Sequence, residues 1–402
     1  MIPKLFGLCA SFGLLIIVVH GGIWKELREM AQKRYWIHGI FQPVELIAYD
    51  AGYLVYSGIS KIDNRPVAIK FKQDKDKARN EYAMYTYLNA IETDVEKYGI
   101  PNIYYFNEYK ADDGSIHQLL VLSHFIPLYP LEYNLHDKPK EIQPIDSLIL
   151  FRDFVRESKY LHSRKIRYDD VSPANIVLRN HRSFFIDFDR SSEMDIYSET
   201  GIWEFLPRSV FLENPKRTAL DDWESFLYMM CEVNKIDLEW FEMKPYASLA
   251  VDFKMNTKET TKRIRNAKIP CKHLKEVFRQ FANETLRKDR SPPDYNRFDK
   301  LIMNKIEAVR KEKGMEVALF SWLLEGERKE AIRYLNENHH VEAAQIKFEE
   351  PFKYPNVEYD YFVVQKDEMA NGHAPSRENY QKKKKEMTEK GEMEIIGKIE
   401  TV

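Results

Sequence analysis

Cysteine is scarce in this chain. There are three in 402 residues, and Cys9 lies in an apolar run near the N-terminus. That leaves Cys231 and Cys271, too few for a disulfide framework and without the paired spacing of a zinc site. Net charge is nearly absent, at −2, so no global field draws the chain toward nucleic acid, and no nucleic-acid partner is expected. No internal repeat is visible. A long apolar run is also missing. Lys4 precedes the uncharged stretch Leu5 to Val19, and His20-Gly21-Gly22 follows. That stretch is shorter than the roughly 18–20 residues a spanning helix needs. It has the form of a secretory signal peptide cut near Gly21 or Gly22. No clean small-residue pattern marks the cut, so an uncleaved single-pass anchor is the alternative and a buried helix the third reading. Either targeting reading predicts entry into the secretory pathway, as a secreted or an anchored protein, with membrane contact only through residues 1–22.

What is present suffices for a packed fold. Apolar residues make up 44% and aromatic residues 13%. That excludes disorder of the whole chain. The length fits one two-lobed domain with tails, or two small domains. The densest run of chemistry is YDDVSPANIVLRNHRSFFIDFD, from Tyr168 to Asp189. Asp170 precedes Asn175 by five residues. A short apolar strand, a turn and a second apolar strand follow, and then Asp187-Phe188-Asp189. A carboxylate behind the apolar strand Phe184-Phe185-Ile186 needs a metal or a cationic partner.

That order and spacing resembles the catalytic loop and metal-binding segment of the protein-kinase superfamily. The resemblance extends in both directions. Upstream, Val67-Ala68-Ile69-Lys70 reads as a strand ending in a lysine, and Glu81 lies on a helix predicted over about Lys77 to Ile91. Downstream, Asp221-Asp222-Trp223-Glu224-Ser225-Phe226 opens an apolar helix. Pro293-Asp294-Tyr295 and that helix start are similar to the casein-kinase-1 branch; Ser172 and the IDFD segment are similar to fungal-type kinases. The resemblance covers roughly Phe41 to Ile306.

It implies an α+β, two-lobed protein-kinase-like fold, with a small β-rich lobe over 41–125 and a larger helical lobe over 126–306. It also implies Mg2+ and ATP between the lobes. Asp170 would orient the acceptor hydroxyl, Asn175 and Asp187 would hold the metal, and Lys70, fixed by Glu81, would meet the phosphates. Gly52, Val55 and Ala68 would line the nucleotide site, and Ser123 and Phe125 would meet adenine. Asp222 would prop the catalytic loop. The expected activity is that of an atypical Ser/Thr protein kinase acting on a protein substrate. The alternatives are a pseudokinase serving as a binding or scaffold module and, because of Asp189, a small-molecule kinase.

Departures from the family pattern sharpen the expectations. Ala48, Asp50 and Tyr53 occupy the positions of the glycine-rich loop, and Gly52 is off register. Tyr168-Asp169 stands for the usual His-Arg, so phosphate on Ser191, Ser192 or Thr200 would meet repulsion from Asp169, and activity should not need it. Ser172 stands for a lysine that would stabilise the transferring phosphoryl group. Gly201-Ile202-Trp203-Glu204-Phe205 stands at the substrate-docking turn, and Ser209 replaces a glutamate there.

Outside the domain, residues 23–40 read as a basic amphipathic lead-in and 307–402 as a tail. The tail carries an expected helix over 314–335 and a solvated lysine run, Lys382 to Lys385. Asp146 is expected to cap a helix carrying Leu148, Phe151, Phe154, Val155 and Leu161 at core spacing.

Overall fold

The computed structural model describes residues 23–321, apart from 51, 92–94, 125, 128–141, 180–181, 195–200, 213–216, 242, 244–247 and 316. Residues 1–22 and the lysine run near the C-terminus therefore lie outside the described residues.

The N-terminal part is an antiparallel sheet. A helix over residues 23–33, α1, leads into β1 (Phe41–Asp50), β2 (Tyr53–Ser60) and β3 (Pro66–Lys72). Helix α2 (Lys75–Ile91) then crosses to β4 (Ile103–Lys110) and β5 (Ile116–Ser123). The strand order is β1-β2-β3-β5-β4. Strand parity divides the sheet into two faces. Leu54, Tyr56, Val67, Ile69, Phe71, Leu119 and Val121 bury against Ile23 and Leu27 of α1. Val55, Ala68, Lys70, Lys72, Leu120 and Leu122 alternate with them and belong to the other face. The lead-in is thus built into this lobe, and Glu26 fastens it by accepting hydrogen bonds from the Tyr109 hydroxyl and from Asp112 N. Within β2, a Cβ on Gly58 would lie 2.4 Å from Ile69 Cδ1 and 2.8 Å from Gln42 O, so only glycine fits between the strands.

The second part is helical: α3 (Pro144–Ser163), α4 (Ala219–Val233), α5 (Ser248–Met255), α6 (Thr257–Asn266), α7 (Lys272–Thr285) and α8 (Tyr295–Lys313). Its centre is aromatic. Phe154 stacks on Phe226 at 3.8 Å, and Trp223 on Phe281 at 4.5 Å. Full burial of one such phenylalanine is worth about 2 kcal/mol. The indole N–H of Trp223 donates to Ser158 Oγ at 3.1 Å, so it is not left unpaired. The α3 residues expected in the core are all buried there.

Two local expectations are corrected. The N-cap of α3 is Gln143, and Asp146 sits three residues into the helix, where it accepts from Gln143 N at 2.8 Å in a capping box. The expected helix over 314–335 does not begin at 314, and its residues 322–335 lie outside the described residues. Gly314, with φ +63°, ends α8, and residues 317–321 run irregularly across to α3. Leu319 and Phe320 are buried, and Ser321 N and Oγ each donate to Asp146 at 2.6 Å. Asp146 therefore ties residues 317–321 to the start of α3.

Candidate active site

Short strands between the two parts shape the loops that carry the site. β6 (Ile126–Pro127), β8 (Ile176–Arg179) and β9 (Arg182–Phe185) form one small sheet, and β7 (Ile166–Arg167) pairs with β10 (Ser192–Glu193). These pairs fix residues 168–175 and 186–191 beside each other. Asp222, at the start of α4, props the first loop: Oδ2 accepts from Tyr168 N at 2.8 Å and Oδ1 from Asp169 N at 3.0 Å. His162 Nε2 lies 2.9 Å from the same carboxylate, and its Nδ1 lies 2.6 Å from the Tyr295 hydroxyl. Burial works to raise the Asp222 carboxyl, but His162 and the two backbone donors hold it below its usual value.

The second loop is oriented by Phe188. Its ring packs against Tyr85 of α2 at 5.1 Å and Tyr168 at 5.2 Å. With Phe188 seated inward and Asp187 at φ +63°, the Asp187 carboxylate meets the sheet lysines. Lys70 Nζ lies 3.0 Å from both oxygens of Glu81 and 2.7 Å from Asp187 Oδ1. Lys72, two residues on and therefore on the same face, contacts Glu81 at 2.9 Å, Asp187 at 3.0 Å and Asp189 at 2.8 Å. Two ammonium groups thus face three carboxylates. Burial would raise the Asp187 carboxyl, but Lys70 and Lys72 hold it well below the carboxylate range. Burial raises Glu81, and the same two lysines oppose the rise. For Lys72, burial is outweighed by Glu81, Asp187 and Asp189, which hold its proton firmly. Lys72 is a site residue that motif reading missed; strand parity with Lys70 is the signal that points to it.

Asp170 and Asn175 also come together. Asn175 Nδ2 donates to Asp170 O at 2.9 Å and to Asp170 Oδ2 at 3.0 Å. Burial and the nearby charges of Asp187 and Asp189 push the Asp170 carboxyl up, while Arg190 and Asn175 pull against them.

Other expected positions fare differently. Val55 pairs with Lys70, and Ala68 with Leu122, on the sheet face that carries the lysines. Gly52 sits in a two-residue turn, because Asp50 pairs directly with Tyr53. Its carbonyl accepts from Gln73 N at 3.1 Å, and a Cβ there would meet nothing within 4 Å, so no close backbone approach demands a glycine. The Tyr53 ring instead lies 5.3 Å from Lys70 Nζ. Ser123, expected at adenine, is buried. Its hydroxyl donates to Glu96, accepts from Asn102 N at 3.2 Å and lies 3.1 Å from the Tyr104 hydroxyl. Its N–H donates to Asn102 O at 3.0 Å. Both groups are committed within the protein because β5 ends against the chain before β4. Phe125 and the side chain of Asp50 lie outside the described residues.

Asp169 has unexpected partners. Its carboxylate is wholly buried, 3.0 Å from Arg217 and 3.3 Å from Arg167, and it accepts from the Ser192 hydroxyl. Arg217 precedes α4, so this contact joins the 168–175 loop to both described ends of the segment between Asp189 and α4. Ser209 donates to Asp221 at 2.5 Å, and Arg208 pairs with Glu224 at 2.8 Å. The segment is thereby fastened to α4 without the expected glutamate.

A β-rich lobe bearing a buried lysine, a helical lobe and a propped aspartate loop between them define the architecture. The fold is that of a protein kinase. The solved structure of vaccinia related kinase 3 superposes with a TM-score of 0.54 at 12% identity, covering 72% of this chain and 96% of that one. Over 128 residues, this kinase-like chain is 24% identical to casein kinase I homolog 3 of Schizosaccharomyces pombe, covering 31% of this chain and 26% of that protein. The chain thus spans about a quarter of the length of that curated relative. No family model matches. Together these likenesses relate the chain to the protein-kinase superfamily.

Proposed function

We propose that the protein is an atypical Ser/Thr protein kinase that transfers the γ-phosphate of Mg·ATP to a protein hydroxyl in the secretory pathway. The observation that carries this reading is the convergence of Lys70, Glu81 and Asp187, three residues from three separate segments, beside the Asp170–Asn175 pair. An ammonium group so held can meet phosphate without searching for its position. Asp170, with its carboxyl raised by burial, can orient an acceptor hydroxyl and take its proton.

The residues present fit a magnesium ion. Asp189 Oδ1 is buried without a hydrogen-bond partner, and both lysines contact only Oδ1 of Asp187. With the amide oxygen of Asn175, these form a set of hard oxygen donors. Among the described residues, no three of His, Cys, Asp and Glu form a closed metal cage. Magnesium needs none, since it keeps waters and takes one or two carboxylates with substrate phosphates. When bound, it would neutralise charge on the β- and γ-phosphates.

The secretory routing rests on residues 1–22. Among the described residues, no helix is long and apolar enough to cross a membrane. N-terminal sequencing of the mature protein should begin near Ile23, whereas a start at Met1 or Ile2 contradicts a cleaved signal. A second reading, a pseudokinase acting as a binding module, is favoured by the tight turn at Gly52, which offers no glycine cradle for phosphate. The deciding experiment is label transfer from Mg·ATP by the full chain into itself and into a protein mixture, beside Asp170→Asn. Label that vanishes in the variant supports the kinase. Folded protein that labels nothing supports the binding module.

A further inference from the structure

Phosphoryl transfer depends on positive charge placed at the group in flight. Among the described residues, three cationic side chains stand at the site, and they differ in what they have left to offer. An ammonium has three N–H donors. Lys70 directs its contacts to both oxygens of Glu81 and to Asp187, and Lys72 directs its own to Glu81, Asp187 and Asp189. Each of their donors already has a carboxylate partner, so what they offer a phosphate is charge. Arg190 still has donors to give. Its side chain is 39% exposed, and its recorded ion contact among the described residues is one approach of 3.7 Å to Asp170 Oδ1. That distance is too long for a hydrogen bond, so the five N–H donors of the guanidinium stay open to a better acceptor. Asp189, next in the chain, faces Lys72 and does not neutralise it. Ser172, on the loop beyond Asp170, is fully buried and brings no charge. Asp170 Oδ1, the oxygen that faces Arg190, has no hydrogen bond, while Oδ2 is taken by Asn175.

We infer that Arg190 supplies the positive charge on the transferring phosphoryl group, from the segment after Asp189 instead of from the catalytic loop. This rests on the phosphotransferase reading above. In the step, a lone pair of the acceptor hydroxyl forms the new O–P bond. The bond from the γ-phosphorus to the β–γ bridging oxygen breaks, and its electron pair leaves on ADP. The hydroxyl proton passes to Asp170. Arg190 meets two non-bridging oxygens of the γ-phosphoryl group, which the planar fork of a guanidinium matches.

The test uses the full chain with Arg190→Ala and Arg190→Lys. It reads label transfer and, separately, equilibrium binding of Mg·ATP and Mg·ADP. Arg190→Ala should lower the transfer rate by about 100-fold or more, the size of one lost transition-state donor. It should weaken Mg·ATP about tenfold while Mg·ADP stays within about twofold, because only ATP carries the γ-phosphate. Arg190→Lys should recover part of the rate. Unchanged transfer in Arg190→Ala overturns the inference. So does equal weakening of both nucleotides, which would make Arg190 a support of the cleft. Wild-type protein that binds neither nucleotide removes the kinase reading itself, and that failure shows before any variant is compared.

Discussion

Two groups of charged side chains lie side by side in this protein, one around Lys70 in the cleft and one around Asp169 beneath the catalytic loop. Both tie distant segments together. In the cleft, two ammonium groups face the three carboxylates of Glu81, Asp187 and Asp189, so negative charge is in excess, and Asp187 and Arg190 remain partly open to solvent. Around Asp169, one carboxylate faces Arg167 and Arg217, Asp222 and Asp221 add their negative charge beside Arg167, and the side chains of Asp169, Arg167 and Arg217 are fully buried. An accessible excess of negative charge can take up a metal ion. A sealed and matched set has no ligand to meet, and its work is to hold chain segments in place. Burial alone does not separate function from structure; the charge balance and its access do.

The largest effect should come from Asp187→Asn. It leaves two ammonium groups against two carboxylates, a balanced set, so stability should change little. Label transfer should fall by about a thousandfold, as for a lost group that acts on developing charge. A variant that unfolds instead would make the cleft group structural.

Asp169→Ala should do the reverse. Two buried guanidinium groups lose their nearest counter-ion, at a cost of about 3–5 kcal/mol, read by urea unfolding. Full stability with lost activity would erase the contrast between the groups.

Lys72→Met comes next. It leaves three carboxylates around one ammonium, and nucleotide affinity should drop about tenfold, because the larger surplus of negative charge repels the phosphates. Isothermal titration with Mg·ATP decides this.

A further buried cation, outside both groups, widens the comparison. Lys254 donates to Trp203 O at 2.5 Å and lies among Trp203, Phe211, Tyr228 and Trp240, 4.7 to 5.6 Å from their ring centroids. Burial pulls its ammonium down to about 7, against the charges of Glu224 and Glu204. Unfolded, the same lysine holds its proton to about 10.4, so between the two values the unfolded chain binds more protons. Stability should therefore rise with pH across that window, by at most about 1.4 kcal/mol per pH unit from this group. Lys254→Met should flatten the slope in urea titrations at pH 7, 8 and 9; an unchanged slope refutes the assignment.

The smallest effect is expected from phosphatase treatment. Ser191 and Ser192 are buried, and Arg217 already grips Asp169, so dephosphorylated protein should keep its rate within about twofold. Thr200 lies outside the described residues.

Much of the site was legible in the chain because its parts are local. Asp170 and Asn175 share one short loop, Asp187 closes the strand after it, and Lys70 ends an apolar strand. Lys72 was legible only in half. Strand parity puts it on the face of Lys70, but its partner Asp189 is 117 residues away, and no local pattern reports that contact. Asp169 reads in sequence as a group that repels phosphate. Arg167 lies only two residues before it, but Arg217 comes from the approach to α4, so its role as a clasp is not visible there. The resemblance puts Ser123 at adenine, and only the structure shows its hydroxyl engaged by Glu96 and Asn102.

The sequence by itself determined the strand and helix periodicities, the order of the chemical groups and the spacing from Asp170 to Asn175 and Asp187. Those depend on contacts within a few residues, where backbone geometry leaves little choice. Tertiary structure alone decided which charges meet: Lys72 with Asp189, Asp169 with Arg217, and Arg190 beside Asp170. Charge pairing depends on distance and burial, and both are set by packing between segments that lie far apart in the chain.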